Sequence, residues 1–412
     1  MTETKFDIPA TKSLAERLLT DYFEYDITLT TGQQFDSPHL VLRCTIDNPI
    51  DGVPKSVILK QLPFDQSERK AMPDALFRNE WACLQFLSAI SQNVNLAPRL
   101  YTGDREAQLM IMEDLGDYPS IQDDLYDTDA LTSVSALVRY GTCLGYLHGQ
   151  CAGKEDQFNA IRAEFNAETP ASDSTVDMQA IFGTIHESLM AYDITTSEAF
   201  KTEVYAIGEM MQGENSLFRT FVHSDSGAHN VINMGERVSL LDFEYGQFAH
   251  GFLDLASARL GFPHSFQGMS TPVAVIEKLE SAYRESLADY IPEVNDDAVF
   301  YAHLVDACAY WTMGRMTLIL GYLKNYAEHG EAVNEQMGHI SENMAKLFGQ
   351  PSTLRALWRL RGVLSLMESF LQLADQHLLR PACCEVVRQV RMIFLDMLPD
   401  TKPLPFYPTF RA

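Results

Sequence analysis

The chain has 412 residues and carries 31 lysines and arginines against 56 aspartates and glutamates, a formal net charge of −25. With 46% hydrophobic and only 21% charged residues it is globular rather than disordered, and its length suggests two or three structural units. The acidic surplus argues against nucleic acid or an anionic membrane surface as partner, because both are bound by clustered lysine and arginine; a cationic or neutral partner is expected instead.

Seven cysteines, at positions 44, 83, 143, 151, 308, 383 and 384, are an odd number without a CxxC pair. The opening residues lack the basic-then-apolar pattern of a signal peptide, and no apolar run is long enough to cross a bilayer. These features predict a cytoplasmic protein with free thiols, in which Cys383 and Cys384 are small buried side chains on a helix. A homodimer is compatible with the sequence but not required by it.

In chain order, residues 25–30, 39–46 and 56–61 are β-rich runs, and Asn48-Pro49-Ile50-Asp51-Gly52 reads as the hairpin turn between the second and third. A sheet with little helix is expected to start the protein. Pro73 opens an amphipathic helix over 74–90, where Leu76, Phe77, Trp81, Leu84 and Leu87 recur at helical steps. Two more strands follow near 99–102 and 108–112, giving a βββαββ pattern. Beyond Leu115-Gly116-Asp117 long helical periodicities take over, at 132–150, 178–192, 198–212, 272–290, 297–327, 333–348 and 353–378. One island interrupts them: short apolar strands at 218–223, 231–233 and 238–242 frame a polar loop, followed by Gly246, Gly251 and Asp254. Such a loop is where chemistry is expected. The tail from Pro399 reads as extended.

The loop is His223-Ser224-Asp225-Ser226-Gly227-Ala228-His229-Asn230, and Asp242-Phe243-Glu244 follows one hairpin later. Three oxygen-bearing side chains, Asp225, Asn230 and Asp242, can be brought together by a turn and a hairpin. Hard oxygen ligands suit magnesium held on substrate phosphates, with one carboxylate left to orient a hydroxyl nucleophile; this is a phosphoryl-transfer constellation.

The loop resembles the H-x-D-x-x-x-x-N signature of the aminoglycoside phosphotransferase and choline kinase superfamily. Leu241-Asp242-Phe243-Glu244-Tyr245 resembles the D-F-E-Y segment of choline and ethanolamine kinases, and Gly251-Phe252-Leu253-Asp254-Leu255-Ala256 is similar to a G-x-x-x-D-L-A stretch one residue longer. The resemblance implies an α+β, bilobal protein-kinase-like fold with a small β-rich N-lobe, a large mostly helical C-lobe and a helical C-terminal extension. The corresponding segments are 1–113, 114–352 and 353–412. It implies Asp225 as the catalytic aspartate, Asn230 and Asp242 as magnesium ligands, and His223, Glu244 and Asp254 as supports of the loop.

Upstream residues match the same plan. Lys60 ends the third strand, and Glu80 lies 20 residues later on the helix, as a kinase fold requires of the lysine that reaches the nucleotide phosphates and the glutamate that holds it. Met110-Ile111-Met112-Glu113-Asp114-Leu115-Gly116 resembles the inter-lobe linker, with backbone groups near Glu113 to Leu115 facing adenine, and Leu144-Gly145-Tyr146-Leu147-His148-Gly149 resembles the helix before the catalytic segment. The implied activity is ATP- and magnesium-dependent transfer of a γ-phosphate to a hydroxyl of a small, cationic acceptor, with GTP as the alternative donor. Glu106, Glu113, Asp114, Asp117, Asp123, Asp124, Asp127 and Asp129 form an acidic stretch without lysine or arginine, and Asp306, Tyr310 and Trp311 are the candidates for an acidic and aromatic acceptor wall.

Two departures stand out. The phosphate-covering segment, 30–37, has one glycine and no GxGxxG, and in the catalytic loop Gly227 and His229 stand near where relatives carry a histidine and a glycine. Two other classes share these residue types. One is a nucleotide-binding protein that does not transfer phosphate. The other is a two-histidine, one-carboxylate iron oxygenase built from His223, Asp225 and His250 or His264.

Overall fold

The computed structural model describes residues 6–35, 37, 39–62, 71–90, 96–127, 129–167, 176–214, 216–263, 268–329 and 352–411. The helix expected over 333–348 and His264 lie outside these residues. Two compact units interleave along the chain: the first draws on 1–119, 154–170 and 232–247, the second on 120–153, 171–231 and 248–412.

The first unit opens with a helix the sequence reading missed, α1 (Ile8–Phe23), so the expectation of a sheet-led start is corrected. Asp7 accepts the Ala10 amide at 3.0 Å, and Pro9 sits in the first turn. Its buried residues, Thr11, Ala15 and Leu19, recur every four residues, but threonine and alanine make the stripe faint to a hydrophobicity reading.

The sheet is β1 (Leu29–Gln34), β2 (Leu40–Ile46), β3 (Ser56–Gln61), β4 (Leu100–Asp104) and β5 (Leu109–Glu113), antiparallel throughout, in the order β1-β2-β3-β5-β4. β1 starts four residues later than expected and absorbs most of the segment assigned to cover phosphates, with Thr30 opposite Thr45 and Thr31 opposite Cys44. Its polar, exposed sequence carries no alternation to betray it.

Side chains alternate between the two faces of the sheet. Leu40, Leu42, Cys44, Ile46, Val57, Leu59, Leu109 and Ile111 form one buried cluster with Ala15 and Leu19 of α1. Gln61 shares that face, accepting the Thr11 hydroxyl at 2.6 Å. Lys60 therefore points to the opposite face, between Val41 on β2 and Met110 on β5 in register. α2 (Ala71–Ile90) follows β3, and α5 (Glu155–Glu164), an unpredicted helix, packs on it. β7 (Val231–Asn233) and β8 (Val238–Leu240) pair as a hairpin, joined to the unit through the Leu240 amide on the Leu96 carbonyl at 2.8 Å.

The second unit is mostly helical: α3 (Ile121–Tyr126), α4 (Ala130–Cys151), α6 (Met178–Met190), α7 (Glu198–Gln212), α8 (Phe252–Arg259), α9 (Val273–Leu287), α10 (Asp297–His329), α11 (Ser352–His377) and α12 (Pro381–Met397). β6 (Arg219–Val222) pairs with β9 (Gln247–His250). The tail is extended as expected, with Ser270 bridging Phe406 and Tyr407 fully buried. No cysteine forms a disulfide, and all seven are buried. Among the described residues no helix is long and apolar enough to cross a membrane.

α4 and α9 touch along a glycine stripe. A Cβ on Gly141 would lie 2.2 Å from the Leu279 carbonyl oxygen, and one on Gly145 would lie 2.0 Å from Ser286 Oγ and 2.6 Å from the Tyr283 carbonyl oxygen. Backbone is the obstacle, so the helices can approach this closely only without side chains there. Gly141→Ala and Gly145→Ala are each expected to destabilise by about 1–3 kcal/mol through overpacking. Gly183→Ala on α6, where the added Cβ meets nothing within 4 Å, should instead stabilise by about 0.4–1 kcal/mol. Urea unfolding of the three variants checks the difference in sign.

Candidate active site

In the first unit Lys60 and α2 build a partly buried charge cluster. The Lys60 ammonium donates to Glu80 Oε1 at 2.8 Å and Oε2 at 2.6 Å, and to Asp242 Oδ1 at 3.2 Å. Burial pulls the lysine pKa down, but the charges of Glu80 and Asp242 outweigh it and hold Lys60 above the ordinary lysine range. The residue carrying the second carboxylate, Asp242, sits at φ 62°, in the left-handed region that aspartate tolerates better than most residues. α2 fixes the segment after it: Asn79 Nδ2 donates to the carbonyls of Glu244 at 3.0 Å and Gly246 at 2.9 Å.

His39, not singled out from the sequence, lies within the electrostatic reach of this cluster. Burial and the positive charge of Lys60 lower its pKa to about 4, against the opposing field of Asp242. Its Nδ1 is buried without a hydrogen-bond partner among the described residues. Nothing in its local sequence, Ser37-Pro38-His39, distinguishes it from a turn residue.

In the second unit Asp225 lies on the loop between β6 and the short 3-10 turn Ala228–Asn230. Asp254 anchors this loop. Its carboxylate accepts the amides of His223 at 2.7 Å and Ser224 at 3.1 Å and approaches His148 Nε2 at 3.4 Å. Ser224, held at φ 64°, turns the chain immediately before Asp225. His148 is fixed in turn by the Tyr283 hydroxyl at 3.0 Å, across the close contact of α4 and α9. His223 accepts the Asp225 amide on Nδ1 at 3.3 Å, and Asn230 donates its amide to the Asp225 carbonyl at 3.0 Å. Asp225 is half-buried and His229 exposed.

Three sequence candidates have other work. Asp306 accepts a bidentate pair from Arg380 at 2.7 and 2.6 Å, Tyr310 bonds to the Val176 backbone, and the Trp311 indole donates to the Leu253 carbonyl at 3.0 Å. All three are buried, so the acceptor wall expected there is corrected to a packing role. The acidic stretch is partly structural too. Asp123 and Ser120 form a capping box on α3, Asp129 caps α4, and Asp114 binds Ser56 at 2.7 Å and Arg43 at 2.9 Å. Glu113 ends β5 with its amide on the Arg99 carbonyl at 2.8 Å, and Leu115 is half-buried just beyond. The iron-site reading loses His250: its Nε2 bonds His303 at 3.0 Å and its Nδ1 accepts the Phe252 amide at 3.3 Å.

Asp254→Asn removes the charge that both loop amides face and should cost about 1.5–3 kcal/mol. Burial alone raises the pKa of Asp254, but its bonds to His148 and His223 bring it below the ordinary 3.8. Because the folded value is depressed, the contribution is complete above that ordinary value and is lost as pH falls through the lower folded one. The stability gap between wild type and Asp254→Asn, measured by urea titration, should therefore stay constant down to about pH 4 and shrink below it.

No protein-family profile matches the sequence, and comparison with curated proteins returns no match. Comparison with solved structures does. A choline kinase from Cryptosporidium parvum Iowa II is similar with a TM-score of 0.50 at 13% identity, over 90% of this chain and 98% of that one. A candidate aminoglycoside phosphotransferase from Ralstonia eutropha is similar with a TM-score of 0.51 at 12% identity, over 90% and 99%. The chain thus shares the α+β, protein-kinase-like fold of these two structures.

Proposed function

We propose that the protein is a small-molecule kinase, transferring the γ-phosphate of ATP to a hydroxyl of a small acceptor with magnesium. The observation that carries this reading is the Lys60 ammonium clasped by both Glu80 oxygens with Asp242 3.2 Å away. A buried cation oriented by a helix glutamate beside an exposed-edge carboxylate is suited to nucleotide phosphates and a metal. In this reading Lys60 holds the α- and β-phosphates, Glu80 positions Lys60, and backbone groups at Glu113 to Leu115 meet adenine. The residue types suit magnesium: Asp242 and Asn230 carry hard oxygens, and in this reading they would hold it. Magnesium would supply neutralisation of charge developing on the transferred phosphoryl group.

Asp225 orients the acceptor hydroxyl and takes its proton as the new P–O bond forms and the bond between the γ-phosphorus and the bridging oxygen breaks, with ADP as the leaving group. Its loop is held rigid by Asp254 and His148, which keeps the carboxylate in place without movement at the moment of transfer. His223 and Glu244 support their neighbouring backbone. An acceptor with a cationic amine, an amino alcohol or aminoglycoside, agrees with the net charge of −25. We place the enzyme in the cytoplasm, in keeping with its cysteines.

A second reading, nucleotide binding without transfer, draws on one observation: β1 occupies most of the segment expected to cover the phosphates, with Gly32 as its single glycine. One assay separates the two. Nucleotide-dependent phosphorylation of choline, ethanolamine, amino alcohols, sugars and aminoglycosides should yield a product with at least one acceptor, with ATP compared against GTP. Asp225→Ala should lower kcat by about a hundred- to ten-thousand-fold with nucleotide affinity retained. Turnover of that variant at the wild-type rate would refute the assignment. Lys60→Met should instead raise the KM for nucleotide as well as lower kcat.

A further inference from the structure

Two cavities of the first unit, of about 310 and 290 Å³, share Trp81 and Arg105 as lining residues. Each is of a size that small ligands occupy. Neither is lined by Lys60, Glu80, His39 or Asp242. Their walls come from α2, β4, the β4–β5 turn and the end of α5 with the two residues after it.

The walls are aromatic and fixed. The Trp81 indole lies over Gly103, where an added Cβ would fall 2.6 Å from the ring, and its ring centre is 5.5 Å from Phe165 and 6.1 Å from Phe77. Of the charged groups at the first cavity two are cationic, Arg78 and Arg105, and one is anionic, Glu164, while Arg105 alone is charged at the second. Arg105 lies over the Phe165 ring at 4.1 Å and bonds the Glu164 carbonyl at 3.1 Å and carboxylate at 3.3 Å. Both side chains of that ion pair are about half exposed, at 52% and 54%, so an incoming anion competes with a weak surface pair. Arg78 approaches Asp74 only at 3.9 Å. Gln108 Oε1, also at the first cavity, is buried with no hydrogen-bond partner among the described residues. A buried acceptor left unmade is costly, and a donor on a ligand would satisfy it.

Flat rings, guanidinium groups and an unsatisfied acceptor together select a planar aromatic anion with an N–H or O–H on its edge. The cavity residues of α2 also sit among those that hold the charge cluster. Phe77, Arg78 and Trp81 line the cavity, while Asn79 and Glu80 between them reach the Glu244 and Gly246 carbonyls and Lys60. A shift of one turn of α2 is therefore felt at Lys60 and behind Asp242. We infer that these cavities form an effector site for a small aromatic anion, coupled through α2 to the Lys60 cluster.

The probe is indole-3-carboxylate, with the uncharged indole-3-methanol as control and phenyl phosphate to compare a phosphate with a carboxylate. Calorimetric titration of the full chain should show saturable binding of the anion, at least tenfold weaker for the uncharged control. Arg105→Ala should weaken it at least tenfold with an unchanged near-UV circular dichroism spectrum. Gln108→Leu should weaken indole-3-carboxylate more than phenyl phosphate, which has no edge donor. Equal affinity for the uncharged control, or unaltered binding by Arg105→Ala, overturns the site. The coupling alone rests on the nucleotide reading above. Saturating indole-3-carboxylate should change the Kd for ATP at least threefold, ATP should change the anion's Kd by the same factor, and Glu80→Gln should bind the anion while abolishing the linkage. Anion binding without linkage overturns the effector role. Absence of nucleotide binding would refute the kinase reading instead, and the direct titration would still decide the site.

Discussion

A lysine ammonium cannot be buried alone, and much of the first unit is arranged around that constraint at Lys60. Transfer of an unpaired charge out of water is far more costly than any single contact can offset, so partners must be supplied by elements already in place. Strand parity turns Lys60 away from α1, whose Ala15 and Leu19 seal the opposite face of the sheet. α2 supplies Glu80 and, through Asn79, ties down the backbone that follows Asp242. The positive φ of Asp242 is the local strain tolerated to bring its carboxylate to the same ammonium.

The second unit solves the complementary problem, holding an anion-bearing loop still. Asp254 does so by collecting two backbone amides of the loop, and it is itself compensated by His148 in a fully buried setting. His148 reaches Asp254 with its other nitrogen on Tyr283, which is close enough because Gly141 and Gly145 let α9 approach α4. A glycine stripe remote from Asp225 thus bears on the placement of Asp225, through packing first and hydrogen bonding second. This hierarchy is common where a loop must be rigid without being part of a regular element.

The surplus of acid has divided uses. Some carboxylates serve the charge clusters, others cap helices at Asp7, Asp123, Asp129 and Asp177, while Glu280 neutralises the buried Arg259 and Asp306 the half-buried Arg380. Acidic density along the sequence was therefore a poor guide to ligand recognition, because a capping aspartate and a ligand-facing aspartate have the same letter and the same neighbours. The cationic rim at Arg78 and Arg105 was invisible for the same reason: its residues come from α2 and the β4–β5 turn, brought together only by the sheet and by α5.

What the sequence determined by itself was everything governed by short-range periodicity and spacing. The alternation in β2 and β3, the stripe on α2, the separation of Lys60 from Glu80 and the order of Asp225, Asn230 and Asp242 follow from local patterns that a strand or helix imposes on adjacent residues. Elements whose burial depends on weakly hydrophobic or polar residues were not legible: α1 with Thr11 and Ala15, the polar edge strand β1, and the short helices α3 and α5. Tertiary structure alone decided which polar residues were already satisfied. Asp306, Tyr310 and Trp311 resemble a binding wall until Arg380, Val176 and Leu253 are seen to use them, and His39 resembles a turn residue until the charge of Lys60 is found to act on it. The physical reason is that a hydrogen-bonding group's availability depends on who its neighbours are in space, and most of those neighbours lie tens to hundreds of residues away in the chain.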